Sequence, residues 1–406
     1  MAGKTGATAM LSGTLYALSG FRYLSLSRQH HTCTVDRKSG LSRVAPPQAI
    51  LLLRTMLVTR ITPMNALDTL EKLPRLNLRG FTSPVQHLKR FSAEIGAEIW
   101  CKRDDIGTVG LAGNKVRKLE VELAYAIAQG ATHLVAEGSR LSNAARAVAA
   151  AAAQTGLKCT LVLCHDAPRE PVGNLLLDGL FGANLRFVGN ATWAELADHA
   201  QAVVTELEYK GERIYRLPIG CASERSSLGF ALAYSELRGQ MAAHERSIGT
   251  IVHASSSGGT HSGLVLGNAL HGSPSKIRGI VVAGDVYDDV HGQYLAYAQG
   301  GARLIGADVS LTREDIDLTE DYLGDGYGLP APGVMEAIDL LATTEGILVD
   351  PVYSAKAVAA LIDLAKKREL EGPVVFWHTG GYHSLFDPHY AQRAWSEIKR
   401  LSTVRL

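Results

Sequence analysis

At 406 residues the chain runs to roughly two or three typical domain lengths, which excludes a minimal scaffold and leaves room for one large or two interleaved domains. Lys and Arg number 41 against 40 Asp and Glu, so there is no whole-chain field of the kind that draws nucleic acid or an anionic membrane. The longest apolar runs, Ala49 to Leu53 and Ala147 to Ala153, fall far short of the ~18 residues of a spanning helix. The five cysteines form no CxxC pair, which fits a reducing compartment and small buried hydrophobes.

Residues 1–66 hold eight Lys or Arg and a single acid, Asp36, while the remaining 340 carry 33 basic and 39 acidic groups. This Ser/Thr-rich head shows no sustained period and is expected to be an extension, either an organellar presequence or sequence upstream of a later start at Met56 or Met64. From about Leu67 the periods alternate. Gly96 to Lys102 reads as a strand, Lys115 to Gln129 as a helix, Thr132 to Ala136 as a strand and Asn143 to Gln154 as a helix. Lys158 to Cys164 is a strand, Gly173 to Phe181 a helix, Asn184 to Val188 a strand and Thr192 to Tyr209 a helix. Further on, the strand Gly249 to Ala254 runs into a Ser/Gly loop and an apolar helix ending at Leu270. Ile277 to Ala283 is a strand, Gly333 to Thr343 and Ser354 to Lys367 are helices, and Val374 to Trp377 is a last buried strand. Strands separated by helices pair in parallel through right-handed crossovers, so the class is α/β. The alanine-rich helix at 144–153 is expected to reflect propensity and close packing.

Chemistry concentrates at strand ends. Ser257, Gly258, Gly259 and Thr260, between a buried strand and a helix start, make an anion cradle of backbone N–H groups, or else an ordinary βα turn. No GxGxxG is present, and Gly107 to Lys115 fails as a P-loop because Asn114 separates Gly113 from the lysine. Lys115 enters a helix from that Gly-ended loop, where a desolvated lysine is suited to forming a Schiff base; alternatively Lys115, Arg117 and Lys118 form a solvated charged face. Ser142 and Asn143 open a helix and either bind an oxyanion or simply cap it. Tyr327 and Tyr353 sit on loops where a phenol can serve as acid, base or positioning group. His378-Thr379-Gly380-Gly381 follows the last strand, at the edge where open α/β sheets bind ligands. His253/His261 and His378/His383 lack metal-ligand spacing, so no metal is expected.

In this order, TSPV (82–85), KRDD (102–105), GNKVRKLE (113–120), SSGGTHSGLV (256–265), EGILVDPVY (345–353) and HTGG (378–381) resemble the fold type II, tryptophan-synthase-β-like pyridoxal-phosphate enzymes. Within them the chain is similar to the branch of D-cysteine desulfhydrase and 1-aminocyclopropane-1-carboxylate deaminase. The resemblance implies a two-domain, three-layer fold with parallel-rich twisted sheets, a large cofactor domain of residues 67–119 and 226–406, and a small α/β domain of 120–225. It implies pyridoxal 5'-phosphate as cofactor, with Lys115 as Schiff-base lysine and proton carrier. Asn143 would contact the cofactor's 3-oxygen, Ser257 to Thr260 its phosphate and Thr379 its pyridine nitrogen. Ser142 would stand on the substrate side as a binding residue or base, and Tyr327 and Tyr353 would flank the substrate.

The same resemblance implies a homodimer acting on a small amino acid, in the cytoplasm, or in a mitochondrion or plastid if the head is a real presequence. Cyclopropane-acid deaminases look to have glutamate directly after the second tyrosine. Ser354 stands there and Thr379 is kept, which tilts the expected reaction toward β-elimination from D-cysteine, giving pyruvate, hydrogen sulfide and ammonia. The open alternatives are the cyclopropane acid, cysteate or another β-substituted amino acid, and a cofactor-holding homologue without catalysis. The chain departs from the family's usual GG-[IV]-QSN-[HQ] at Gly138 to Ala144, where Arg140 either offers a cation to an acidic substrate or faces solvent.

Overall fold

The computed structural model describes residues 65–398 and, ahead of them, four three-residue strands: β1 (Ala9–Leu11) antiparallel to β2 (Thr14–Tyr16), and β3 (Leu24–Leu26) antiparallel to β4 (Cys33–Val35). The rest of the head, with its expected presequence, lies outside the described residues. All remaining elements belong to the unit Met64–Leu406, which opens with α1 (Ala66–Glu71), N-capped by the Asn65 side chain.

Six strands make the larger sheet: β5 (Val85–His87), β6 (Ile99–Arg103), β11 (Thr250–Ser255), β12 (Lys276–Val281), β13 (Asp317–Thr319) and β14 (Val374–His378). Their order is β13-β12-β11-β14-β6-β5, with every pair parallel except β5 and β6. The second sheet is fully parallel, in the order β10-β7-β8-β9, from β7 (His133–Ser139), β8 (Lys158–Cys164), β9 (Asn184–Phe187) and β10 (Ile214–Leu217). Strands β7, β11 and β14 are buried along their whole length. Their middles read as apolar runs, Leu134 to Ala136, Ile251 to Val252 and Val374 to Trp377, as strands covered on both faces do, while the polar residues gather toward their ends.

Helices fill the crossovers. Those that position the site are α3 (Lys115–Ala128), α4 (Asn143–Thr155), α5 (Gly173–Leu180), α6 (Trp193–Tyr209), α7 (Glu224–Ala243) and α8 (Gly259–Leu270). Helix α4 buries Ala144 through Ala152, and apart from Arg146 its side chains are small enough to pack closely against β7 and β8, as its composition foretells. α6 starts at a capping box between Thr192 and Glu195, which satisfies two orphan helix donors reciprocally. The chain continues through α9 (Val290–Leu304), α10 (Val334–Glu345), α11 (Ser354–Lys367) and α12 (Pro388–Glu397).

The sequence periods locate most of these elements to within a few residues, and Lys158–Cys164 and Ser354–Lys367 end where expected. They miss a helix, α2 (Lys89–Ile95), whose C-cap is the left-handed Gly96; the expected strand at Gly96 instead begins at Ile99. They also miss α1, α9, α12 and the short strands β5, β10 and β13, and α7, which buries residues all round its circumference and so lacks the one-sided stripe that periodicity detects. Strand β7 runs three residues past its expected end, to Ser139.

Candidate active site

Strands β7, β11 and β14 all point their C-terminal ends at one crevice, the place where open parallel sheets leave backbone groups and loops free for ligands. A cavity of about 720 Å³, counting its open mouth, lies there. Its walls include Lys115, Lys118, Ser142, Asn143, Ser257, Gly258, Thr260, Tyr327, Tyr353 and Thr379. Nine of the ten residues singled out in the sequence thus meet in one pocket. The tenth, Gly259, is buried as the first residue of α8, where a β-carbon would stand 3.0 Å from Lys118 Nζ.

Lys115 is the first residue of α3, half-buried, with its Nζ donating to Asn114 Oδ1 at 2.9 Å. Burial pushes the Lys115 amine down to about 8; the Arg146 guanidinium acts in the same direction, against Cys221 and Asp350. The loop carrying it is stitched to its surroundings: Asn114 Nδ2 donates to Thr260 Oγ1 at 2.9 Å, and Asn114 N to the Thr379 carbonyl at 3.1 Å. One asparagine therefore ties the lysine to both the Ser/Gly loop and the HTGG loop.

The charged-face alternative fails for both neighbours. Arg117 is 2% exposed and lies in a buried ion cluster, bidentate to Asp104 at 2.7 and 2.8 Å and paired with Glu236 at 2.9 Å. Trp377 Nε1, Ser83 and Lys102 complete that cluster. Lys118 is also buried, yet among the described residues its Nζ hydrogen-bonds only to a carbonyl oxygen, that of Gly220 at 3.1 Å, and burial pushes its amine well down. A lysine buried beside the Ser/Gly loop without a carboxylate is suited to an anionic ligand.

That loop is shaped for one. Gly258 has φ 88° and a β-carbon there would overlap the Tyr294 ring; at Gly220, φ 62°, it would overlap the Ser257 side chain. Only glycine lets these backbones come so close. Tyr294 Oη donates to the Ser256 carbonyl at 2.5 Å and Tyr287 Oη to that of Ser257 at 3.3 Å. Helix α8 starts with no side-chain cap, leaving its first N–H groups for a ligand.

On the opposite wall Ser142 N-caps α4, its Oγ accepting from Ala145 N at 3.1 Å, and still lines the pocket. Capping and exposure to the ligand thus coexist. Asn143 Oδ1 accepts from Asn174 Nδ2 and from His383 Nε2, each at 3.0 Å. Tyr327 and Tyr353 meet hydroxyl to hydroxyl at 2.5 Å, and Ser139 Oγ lies 3.2 Å from Tyr327 Oη. Burial raises both phenols, so they hold their protons. The edge of the Trp193 ring packs on Tyr327.

Sequence reasoning missed Lys118, Asn174, His383, Ser139 and Trp193. Lys118 carried a signal in its place one turn after Lys115; the others depend on which loops fold together. Arg140 is exposed and does not line the cavity. Cys101, Cys159, Cys164 and Cys221 are buried and free, as expected of small hydrophobes. Among the described residues no helix is long and apolar enough to cross a membrane.

A family model described as pyridoxal-phosphate dependent enzyme matches residues 76–380. The D-cysteine desulfhydrase of Salmonella choleraesuis (strain SC-B67) is 36% identical over 331 residues, covering 80% of this chain and 98% of that protein. The enzyme of the same name from Salmonella newport (strain SL254) matches equally. The crystal structure of an ACC deaminase homologue superposes with a TM-score of 0.75 at 35% identity, over 82% of this chain and 99% of that one. The processed form of threonine deaminase isoform 2 from Solanum lycopersicum, 16% identical, shares the fold with a TM-score of 0.56 over 84% and 93% of the two chains.

Proposed function

The chain belongs to the pyridoxal-phosphate dependent enzymes, with their fold type II architecture, and from that premise we propose that it catalyses β-elimination on D-cysteine, which with water yields pyruvate, hydrogen sulfide and ammonia. The pocket fits the cofactor. The uncapped start of α8, Ser257, Gly258, Thr260 and the unpaired Lys118 would hold its phosphate. Lys115 would hold its aldehyde carbon, Asn143 its 3-oxygen and Thr379 its pyridine nitrogen. When bound, pyridoxal phosphate supplies a Schiff-base linkage and an electron sink that weakens bonds at the substrate's α-carbon.

The protein's own groups do the rest. Lys115 Nζ, with its pKa pushed down to about 8, is a base near neutral pH and takes the α-proton. Tyr327 and Tyr353, which keep their protons inside the pocket, donate one to the departing sulfur. The first turn of α4, with Ser142 at its cap, receives the substrate carboxylate on free N–H groups and the positive end of the helix dipole.

The observation that carries elimination, rather than chemistry needing a stronger electron sink, is the polar environment around Thr379. Asp350 is buried nearby, but its oxygens accept from Val352 N, Tyr353 N, Ser354 N and Ser354 Oγ. Ser354 Oγ gives its one proton to Asp350 and lies 3.2 Å from the Gly380 carbonyl. Neither lines the cavity. A hydroxyl, that of Thr379, rather than a carboxylate would be left to meet the ring nitrogen of a bound cofactor and would leave it largely unprotonated.

The test incubates the holoenzyme separately with D-cysteine, L-cysteine, cysteate and 1-aminocyclopropane-1-carboxylate. Equal sulfide and pyruvate from D-cysteine, abolished by Lys115→Ala, is the expected result. An intact visible cofactor band without sulfide overturns the reading: turnover of the cyclopropane acid makes the protein a deaminase, and turnover of none of the four makes it a binder.

A further inference from the structure

Asn174 Nδ2 on α5 donates to the Leu141 carbonyl at 2.7 Å. A carbonyl only accepts, so that end of the Asn174 amide is nitrogen and its oxygen is the end facing His383. His383 Nε2 lies 2.6 Å from Asn174 Oδ1, so Nε2 bears the ring proton. The same Nε2 is 3.0 Å from Asn143, and Asn174 Nδ2 is also 3.0 Å from it. Asn174 Nδ2 donates to one end of the Asn143 amide, and the single Nε2–H of His383, shared with the nearer Asn174 oxygen, faces that same end. That end is oxygen, and the NH₂ end is the one left for the pocket that Asn143 lines.

The arrangement is shielded from titration. His383 is 6% exposed, and burial, helped by Arg146, pushes its pKa down to about 3. Its ring is neutral across the physiological range, with a fixed donor at Nε2. His383 does not itself line the cavity.

We infer that His383 is a positioning residue that locks the Asn143 amide with its N–H groups toward the cofactor's 3-oxygen. The inference rests on the cofactor placement proposed above. An amide held by Asn174, itself fixed by His383, and by the shared His383 N–H reaches its ligand pre-oriented, whereas a free one spends part of its time presenting oxygen to an oxyanion.

The experiment compares holoenzymes carrying His383→Ala, His383→Gln and Asn143→Ala with the parent. Cofactor dissociation constant, the pH midpoint of the visible cofactor band and melting temperature are measured. A donor to an ionised oxygen favours the deprotonated form of the chromophore, so His383→Ala is expected to move the midpoint upward, in the direction of Asn143→Ala but less far. It is expected to weaken cofactor binding about tenfold, the size of one charge-assisted hydrogen bond. His383→Gln, whose amide nitrogen can donate from a similar position, restores both to within about threefold of the parent. A His383→Ala protein with parental affinity and midpoint overturns the inference. So do equal losses in the Ala and Gln variants accompanied by a lowered melting temperature, which mark a packing role. If Asn143→Ala is silent, the cofactor placement itself is wrong and the inference falls with it.

Discussion

Lys115 gives the sharpest quantitative test, because its amine is depressed by burial rather than held by a partner. It makes no ion pair among the described residues, and burial sets its pKa at about 8 against an ordinary 10.5. At pH 7 that difference raises the fraction of free amine about 300-fold over a surface lysine. In cofactor-free protein, brief labelling with an amine-reactive reagent read by mass spectrometry should modify Lys115 ahead of exposed lysines, with a half-point near pH 8. The same shift has a sign in stability. Below pH 8 the ammonium is charged in both folded and unfolded chains, and the folded state bears its full desolvation cost. Between about 8 and 10.5 the unfolded chain binds the extra proton, so stability rises with pH, by up to about 3 kcal/mol. Lys115→Met should therefore stabilise the cofactor-free protein at pH 7 and remove that part of the slope, seen by urea unfolding at pH 7 and pH 10. Labelling of Lys115 with the half-point of a surface lysine, or a stability slope unchanged in Lys115→Met, would refute the reasoning.

Gly258→Ala should lower cofactor affinity by at least about tenfold, since it asks a side chain to adopt φ 88° and to displace Tyr294 from behind the cradle; fluorescence titration with pyridoxal phosphate checks it. Arg117→Met leaves Asp104 and Glu236 buried with too few cations, which costs about 3–5 kcal/mol and lowers the melting midpoint by roughly 5–10 °C. In the parent protein Arg117 and Lys102 hold the Glu236 carboxyl down to about 2 from 4.5 despite its burial. Its stabilisation is therefore full above pH 4.5 and is lost as pH falls from there toward 2, so acid unfolding should begin at higher pH in Arg117→Met. Tyr353→Phe removes the hydroxyl 2.5 Å from Tyr327 Oη and should cut kcat for elimination by about 100- to 10,000-fold, as loss of a general acid does. Substrates with a more acidic leaving group should suffer less, as steady-state comparison would show.

Much of the site is legible in the sequence because its residues sit at element boundaries that local rules announce. Ser142 caps a helix, Ser257 to Thr260 join a buried strand to a helix, and Thr379 lies one residue past the buried strand β14. What local rules do not announce is contact between distant segments. Nothing near His383 in the chain tells that its ring meets Asn143, which lies 240 residues earlier. Helix α7 is likewise hidden, since burial on every side erases the amphipathic period. Ser139 escaped for a different reason: β7 continues through Glu137 and Gly138, a polar residue and a poor strand former, because register with β8 holds it to Cys164.

Arg117 and Lys118 show where sequence reasoning ends and why. They are adjacent cations on the same turn of α3, both nearly inaccessible to solvent, and no local property separates them. Arg117 turns toward Asp104 and toward Glu236, an acid supplied by α7, and its charge is neutralised inside the protein. Lys118 turns toward the Gly220 carbonyl and the start of α8, makes no ion pair among the described residues, and has its amine pushed well down by burial. Burying a cation without a carboxylate is costly unless a ligand brings the compensating charge. The unpaired lysine is therefore the group proposed above to meet the cofactor's phosphate, and the paired arginine ties the first turn of α3 to Asp104 and to α7. Pairing state, which exists only once α3, α7 and α8 have packed together, separates the functional cation from the structural one.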